Sequence, residues 1–178
     1  MKQAHRILVA VCLALFTLSS VAHAGSTPPP DKSSPELQRI KSLAGRWTTV
    51  TSMFTGKPQR MYTEYQVTAG GSAVLERIFP GTPMEMISVY YDDDHGKLAM
   101  THYCVMRNRP TLKLQSSTPD TLILKVVSVS GLQSKKEARM GNITYAFKDK
   151  NHFVATCGGK GADKDKEGPH TFEYTRVK

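Results

Sequence analysis

The side chains in this sequence with the most reactive chemistry at close spacing are His102 and Cys104, in the run Thr101-His102-Tyr103-Cys104. A cysteine and a histidine can act as nucleophile and general base, but only when their reacting atoms approach to about 2.6–3.2 Å. Two residues apart on a strand, they share a face and lie about 7 Å from one another along it. The pair therefore reads as two neighbours on one wall, not as a catalytic dyad, and no complete catalytic motif occurs elsewhere. Glu76 and Tyr90, on neighbouring extended runs, bring a carboxyl and a phenol towards the same wall, and Met100 extends the face carrying His102. His102, Cys104, Glu76, Tyr90 and Met100 are thus the candidate lining of a ligand cavity. A purely structural histidine, or an enzyme using His102, are the competing readings of the same residues.

Metal binding requires three or four converging ligands. His95, His102, His152 and His170 contain no pair at the i, i+2 or i, i+4 spacing of a chelate. Asp92-Asp93-Asp94-His95-Gly96 is acidic but lacks the spaced oxygens of a calcium loop, so it reads as a hairpin turn. No metal site is expected. Met53, Met61, Met84, Met86, Met100 and Met106 all fall in or near extended runs; flexible thioethers suit an irregular apolar cavity and an ordinary core alike.

The elements that must position these groups have a two-residue period. Runs rich in Val, Ile, Thr, Tyr and Phe span residues 46–53, 60–68, 72–79, 85–91, 97–105, 110–115, 121–128, 142–148, 152–157 and 171–177, each closed by turn residues. About ten strands in so short a chain leave long exposed edges unless the sheet closes on itself. The expectation is an all-β, antiparallel up-and-down barrel. Ahead of it, Ser34-Pro35-Glu36 predicts a short helix with Leu37, Ile40, Leu43 and Ala44 as its apolar stripe and Gly45 as its stop. Alternation turns Leu98, Met100, His102 and Cys104 inward, places Glu76 on the inner face with Val74 and Ile78, and groups Phe172, Tyr174 and Arg176 on one side of the last strand.

Leu43-Ala44-Gly45-Arg46-Trp47, a Gly-x-Trp opening the first strand directly after a short helix, resembles the first motif of the calycins, the superfamily of lipocalins and fatty-acid-binding proteins. The resemblance implies that Arg176, near the end of the last strand, lies over Trp47 and closes one end of the barrel. A guanidinium on an indole is favourable by about 0.5–2 kcal/mol. Residues 67–104, with Phe79-Pro80-Gly81-Thr82-Pro83 and Thr101-His102-Tyr103-Cys104, are similar to a group of uncharacterised exported bacterial lipocalin-like proteins. Arg107-Asn108-Arg109 and the stretch Gly158 to Gly168 depart from that pattern. Some lipocalin-like barrels bind haem through a histidine near the final strand, which directs attention to His170; a histidine at that position on a strand is otherwise expected to face solvent. No other cofactor is implied.

Residues 1–24 read as a cleavable signal peptide: Lys2 and Arg6, then an apolar run from Ile7 to Leu18, then Ala22-His23-Ala24 at the cleavage position. That run is shorter than the roughly 20 residues of a membrane-spanning helix, so stable membrane insertion is not expected. Residues 25–34, with prolines at 28 to 30, read as a polar leader unlikely to pack, and residues 35–178 as a single barrel domain. Cleavage would lower the formal charge from +9 to +7, since two of 24 basic residues and none of 15 acids would leave. The remaining basic residues are scattered, apart from Lys135-Lys136 and the stretch Lys160 to Lys166, which argues against nucleic acid as a partner. The expected function is a periplasmic or secreted binder of a small apolar or amphipathic molecule. The alternative is a structural or interaction module whose working surface is the basic stretch Gly158 to Gly168. Cys104 and Cys157 form an even pair in a compartment that permits a disulfide, with their bonding left open by the sequence. The number of subunits is likewise left open.

Overall fold

The computed structural model describes residues 29–160 and 169–178. The signal segment, the first part of the leader and most of the basic stretch lie outside the described residues. One helix, α1 (Pro35–Lys41), precedes ten strands: β1 (Gly45–Thr51), β2 (Gln59–Thr68), β3 (Ala73–Ile78), β4 (Met86–Asp92), β5 (Leu98–Tyr103), β6 (Arg109–Thr118), β7 (Thr121–Ser130), β8 (Arg139–Asp149), β9 (His152–Lys160) and β10 (His170–Arg176). Every strand pairs antiparallel with its sequence neighbours, and β1 pairs with β10, so the sheet is a closed up-and-down barrel. No helix among the described residues is long and apolar enough to cross a membrane.

The short helix forms for local reasons and persists for tertiary ones. The Ser34 hydroxyl accepts from the backbone N–H of Leu37 at 3.1 Å, and Pro35 occupies the first turn, where a missing N–H costs nothing. Seven residues are too few for an isolated helix in water. Burial of Leu37 and Ile40 against the barrel end supplies the missing stability, each at about 1.5–3 kcal/mol. The helix ends at Lys41 with Ser42 as its cap, three residues before the expected stop at Gly45, and Ala44 is exposed instead of packed. The leader is also less free than its composition suggests. Ser34 donates from both its backbone N–H and its hydroxyl to the Asp92 carboxylate, and Asp31 pairs with Lys41 at 2.7 Å.

Trp47, Leu98, Met100, Leu112, Leu122, Leu124 and Phe153 fill the end of the barrel covered by α1. Arg176 seals it: its guanidinium carbon lies 4.2 Å from the Trp47 ring centroid, Nη1 and Nη2 donate to the Ala44 and Ser42 carbonyls, and Nε donates to the Lys150 carbonyl. Gly45 makes room for it. Its φ of +122° suits only glycine, and a Cβ there would sit 3.1 Å from Arg176 Nη1.

Several strands run further than the periodicity indicates. β8 begins at Arg139, three residues before the expected start, because Gly141 breaks the alternation at a register shift between Met140 and Ile143. There β8 and β9 approach so closely that a Cβ on Gly141 would lie 2.7 Å from the Gly158 carbonyl oxygen. For the same reason Gly158, Gly159 and Lys160 are strand, not loop.

Candidate ligand-binding cavity

Side chains on the inner face line up in rows across paired strands, each row one pleat from the next. One row runs Tyr65, Glu76, Ser88, His102 across β2, β3, β4 and β5, since Tyr65 pairs with Glu76, Glu76 with Ser88 and Ser88 with His102. The next row towards α1 is Val74, Tyr90, Met100, Leu112. Towards the other end lies Ile78 opposite Met86. On the far wall, Ile143, Cys157 and His170 form a row near that end, with Tyr145, Ala155 and Phe172 beneath it.

Between these walls, at the end away from α1, is a cavity of about 420 Å³. Its upper wall is apolar and flexible, with Phe54, Phe79, Met84, Met86, Met106 and Met140 among the lining residues. Its floor is polar: Glu76, Ser88, His102, Tyr145 and Tyr174. Phe79 packs edge-on against Phe54 with ring centroids 5.2 Å apart, and holds a φ of +54°, an uncommon conformation for a bulky side chain.

A hydrogen-bonded cluster is centred on Glu76 at the floor. Tyr65 and Tyr90 donate to the two oxygens of Glu76, each at 2.6 Å, and the Tyr90 and Tyr145 hydroxyls meet at 2.5 Å. With the Tyr90 proton given to Glu76, Tyr145 must be the donor to Tyr90. Ser88 stands opposite Glu76 in the β3–β4 pair, and its hydroxyl lies 3.0 Å from His102 Nδ1. Burial raises the pKa of Glu76, the phenols and Ser88 opposing that rise. Burial also lowers the His102 pKa to about 4. The order of contacts is carboxyl, serine, histidine, so Ser88 separates Glu76 from the imidazole. A serine nucleophile would need the histidine in the middle.

No family model matches the chain, and no curated protein sequence matches it. Among solved structures, that of Rv2717c from M. tuberculosis is similar, with a TM-score of 0.51 and 12% sequence identity over 82% of this chain and 99% of that one. The likeness is one of fold.

His102 and Glu76 lie on the inner face, 3% and 4% exposed, and line the cavity; Cys104 lines it one pleat nearer the mouth. Tyr90 and Met100 do not line it. They face one another across β4 and β5 in the row below, both 0% exposed, and the physical reason is register: one pleat deeper places Met100 in packed core and Tyr90 behind Glu76, which it supports. His170, expected at the surface, is half-buried and lines the cavity near its mouth. Cys104 and Cys157 are free thiols that both line the cavity, with burial raising the pKa of each and Cys157 pushed up to about 12. Among the described residues no group of three or more His, Cys, Asp or Glu is arranged to hold a metal ion. Ser88, Tyr65, Tyr145 and Tyr174 escaped the sequence reading. Only the strand pairing identifies them, although Ser88 falls on the Glu76 row once the hairpin between β3 and β4 is drawn.

Proposed function

We propose that this protein is an exported, lipocalin-like carrier holding a small, mainly apolar molecule inside the barrel. One observation carries the reading: a cavity of about 420 Å³ with an apolar wall and a small polar floor. Such volumes, between about 300 and 1,000 Å³, are those of small-molecule sites. The Gly45-x-Trp47 motif and the position of Arg176 over Trp47 support a calycin relationship. The charge and hydropathy of residues 1–24 support export to the periplasm or beyond.

The test is titration with N-phenyl-1-naphthylamine, a neutral apolar fluorophore. Saturable binding is expected, and Met86→Trp, which places an indole in the cavity, should weaken it about tenfold or more while unfolding stays cooperative. No saturable binding to the native protein would end the carrier reading. Haem is the rival ligand, because His170 offers an imidazole on the cavity wall. Hemin that acquires a protein-dependent Soret band, lost in His170→Ala, would replace the apolar carrier with a haem carrier.

A further inference from the structure

Charge is distributed unevenly between the two ends of the barrel. The connections β1–β2, β5–β6 and β7–β8, with the strand starts beside them, meet at the end where the cavity opens. They carry Lys57, Arg60, Arg107, Arg109, Lys135 and Lys136, all exposed. No carboxylate among the described residues pairs with any of these side chains. The acids described at this end are already engaged: Glu85 is held by Arg77 at 2.8 Å, and Glu137 accepts from the Gln133 backbone N–H. In sequence, residues 161–168 add two lysines and three acids, which lowers the surplus by one. The cations are far apart along the chain, and closure of the barrel gathers them around one opening.

The opposite end is different. There Asp31 pairs with Lys41 and Asp93 with Lys113, Arg176 is engaged by three carbonyls, and Asp94 and Asp120 add further negative charge.

The open end also shows apolar side chains to water. Met53 and Met106 stand in two of the same connections, 44% and 53% exposed, and both line the cavity. Tyr103, half-exposed, ends β5 beside them. Unpaired cations around an opening with apolar side chains at its lip suit a surface that lies on anionic lipid, where charge meets headgroups and apolar groups reach the acyl boundary. A fluid bilayer supplies anions wherever the cations fall and hydrocarbon beneath them. An acidic protein supplies the first without the second.

We propose that the open end of the barrel docks on an anionic phospholipid bilayer, with Lys57, Arg60, Arg107, Arg109, Lys135 and Lys136 among the headgroups and Met53 and Met106 at the acyl boundary. Docked this way, the cavity opens on the membrane, and the cargo of the carrier reading passes between lipid and barrel without crossing water. Docking itself stands on the rim and not on that reading.

The test is co-sedimentation with vesicles of phosphatidylcholine and phosphatidylglycerol in equal parts. It uses the chain from Gly25 onward, which contains the whole barrel, because the apolar run from Ile7 to Leu18 would itself enter lipid. Binding should be about tenfold or more tighter than to phosphatidylcholine alone, and lost at an ionic strength of about 1 M. Each Lys or Arg near such a surface strengthens binding about fivefold. Combining Lys57→Gln, Arg109→Gln, Lys135→Gln and Lys136→Gln should therefore weaken it about tenfold or more. Combining Lys97→Gln, Lys148→Gln, Lys150→Gln and Lys178→Gln removes equal charge from the other end and should change it less than about twofold. The indole added by Met106→Trp should shift its emission to the blue on the mixed vesicles, while Trp47 stays buried at the far end. No preference for the mixed vesicles, or equal losses in the two fourfold variants, overturns the proposal. Binding to soluble polyglutamate as tight as to vesicles, or an unmoved Met106→Trp emission, assigns the rim to something other than a bilayer and overturns it too. A fluorophore that fails to enter the cavity removes the carrier reading and leaves docking standing.

Discussion

Ser88 Oγ lies 3.0 Å from Nδ1 of His102, and Ser88 stands opposite Glu76 in the β3–β4 pair, so one serine sits between a buried imidazole and a buried carboxyl. The imidazole is the more readily tested of the two by titration. Its folded-state pKa of about 4 lies below the ordinary 6.5, so between these values the unfolded chain binds more protons than the native one. Stability then rises with pH across that window and is lost as pH falls from about 6.5 to about 4, by up to about 3 kcal/mol. Glu76 acts with the opposite sign: its folded pKa is raised, so the native state takes up that proton first as pH falls. The expected outcome is a difference between native protein and His102→Gln, measured by chemical denaturation, that shrinks as pH falls through this window and is flat above pH about 7. A constant difference across the window contradicts a buried neutral His102.

The tyrosines behind the floor are coupled to Glu76. Tyr90→Phe leaves one carboxyl oxygen without its donor and Tyr145 without its acceptor. The loss should be about 1–3 kcal/mol of unfolding free energy. In a Glu76→Leu background the same substitution should do far less, because the group left unsatisfied is gone. A double-mutant cycle with coupling below about 0.5 kcal/mol would mean that the phenol and the carboxyl do not act together.

At the opposite end, Arg176→Ala removes three hydrogen bonds to carbonyls and the contact with Trp47. About 2 kcal/mol of destabilisation is expected, with Arg176→Lys intermediate, since an ammonium keeps the charge but loses the planar fork. Fluorophore affinity should be unchanged, because the cavity lies beyond the packed rows. A clear drop in affinity without loss of stability would show that the two ends are not independent.

Cys104 and Cys157 are held as thiols by burial, which disfavours the thiolate. At about pH 8, alkylation by iodoacetamide should be at least tenfold slower in the native protein than in the denatured one for Cys157, with Cys104 intermediate. Fast labelling of both in the native state would place them in solvent. A mass two hydrogens lighter on the purified protein would show them joined.

The number of strands, their order and the inward side of the strand carrying His102 were legible in the residues. Alternation of apolar and polar side chains has a period of two, and each run ends in turn chemistry that depends on few neighbours. Inward placement of His102 and Cys104 followed from that parity alone, whereas the two faces of the strand carrying Glu76 are almost equally apolar and the barrel decided between them. Depth did not. Tyr90 and Met100 share the parity of Ser88 and His102, but lie one pleat nearer α1, and only the register between β4 and β5 distinguishes packed core from cavity wall. Gly141 and Gly158 hid the true extent of β8 and β9, because a glycine contributes nothing to the hydrophobic pattern and its reason for being there is the close approach of another strand.

The sequence by itself therefore determined that the chain closes into an antiparallel barrel with a capped helix at one end, because these depend on local periodicity and on the ends of neighbouring elements; the place of Arg176 over Trp47 came from the resemblance of the Gly-x-Trp motif, not from periodicity. Tertiary structure alone decided that Tyr65, Glu76, Ser88 and His102 form a single row, and that the space above it stays open. Row and void are set by the stagger of strands around a closed sheet and by how far side chains from opposite walls reach. Neither quantity is written in any one segment.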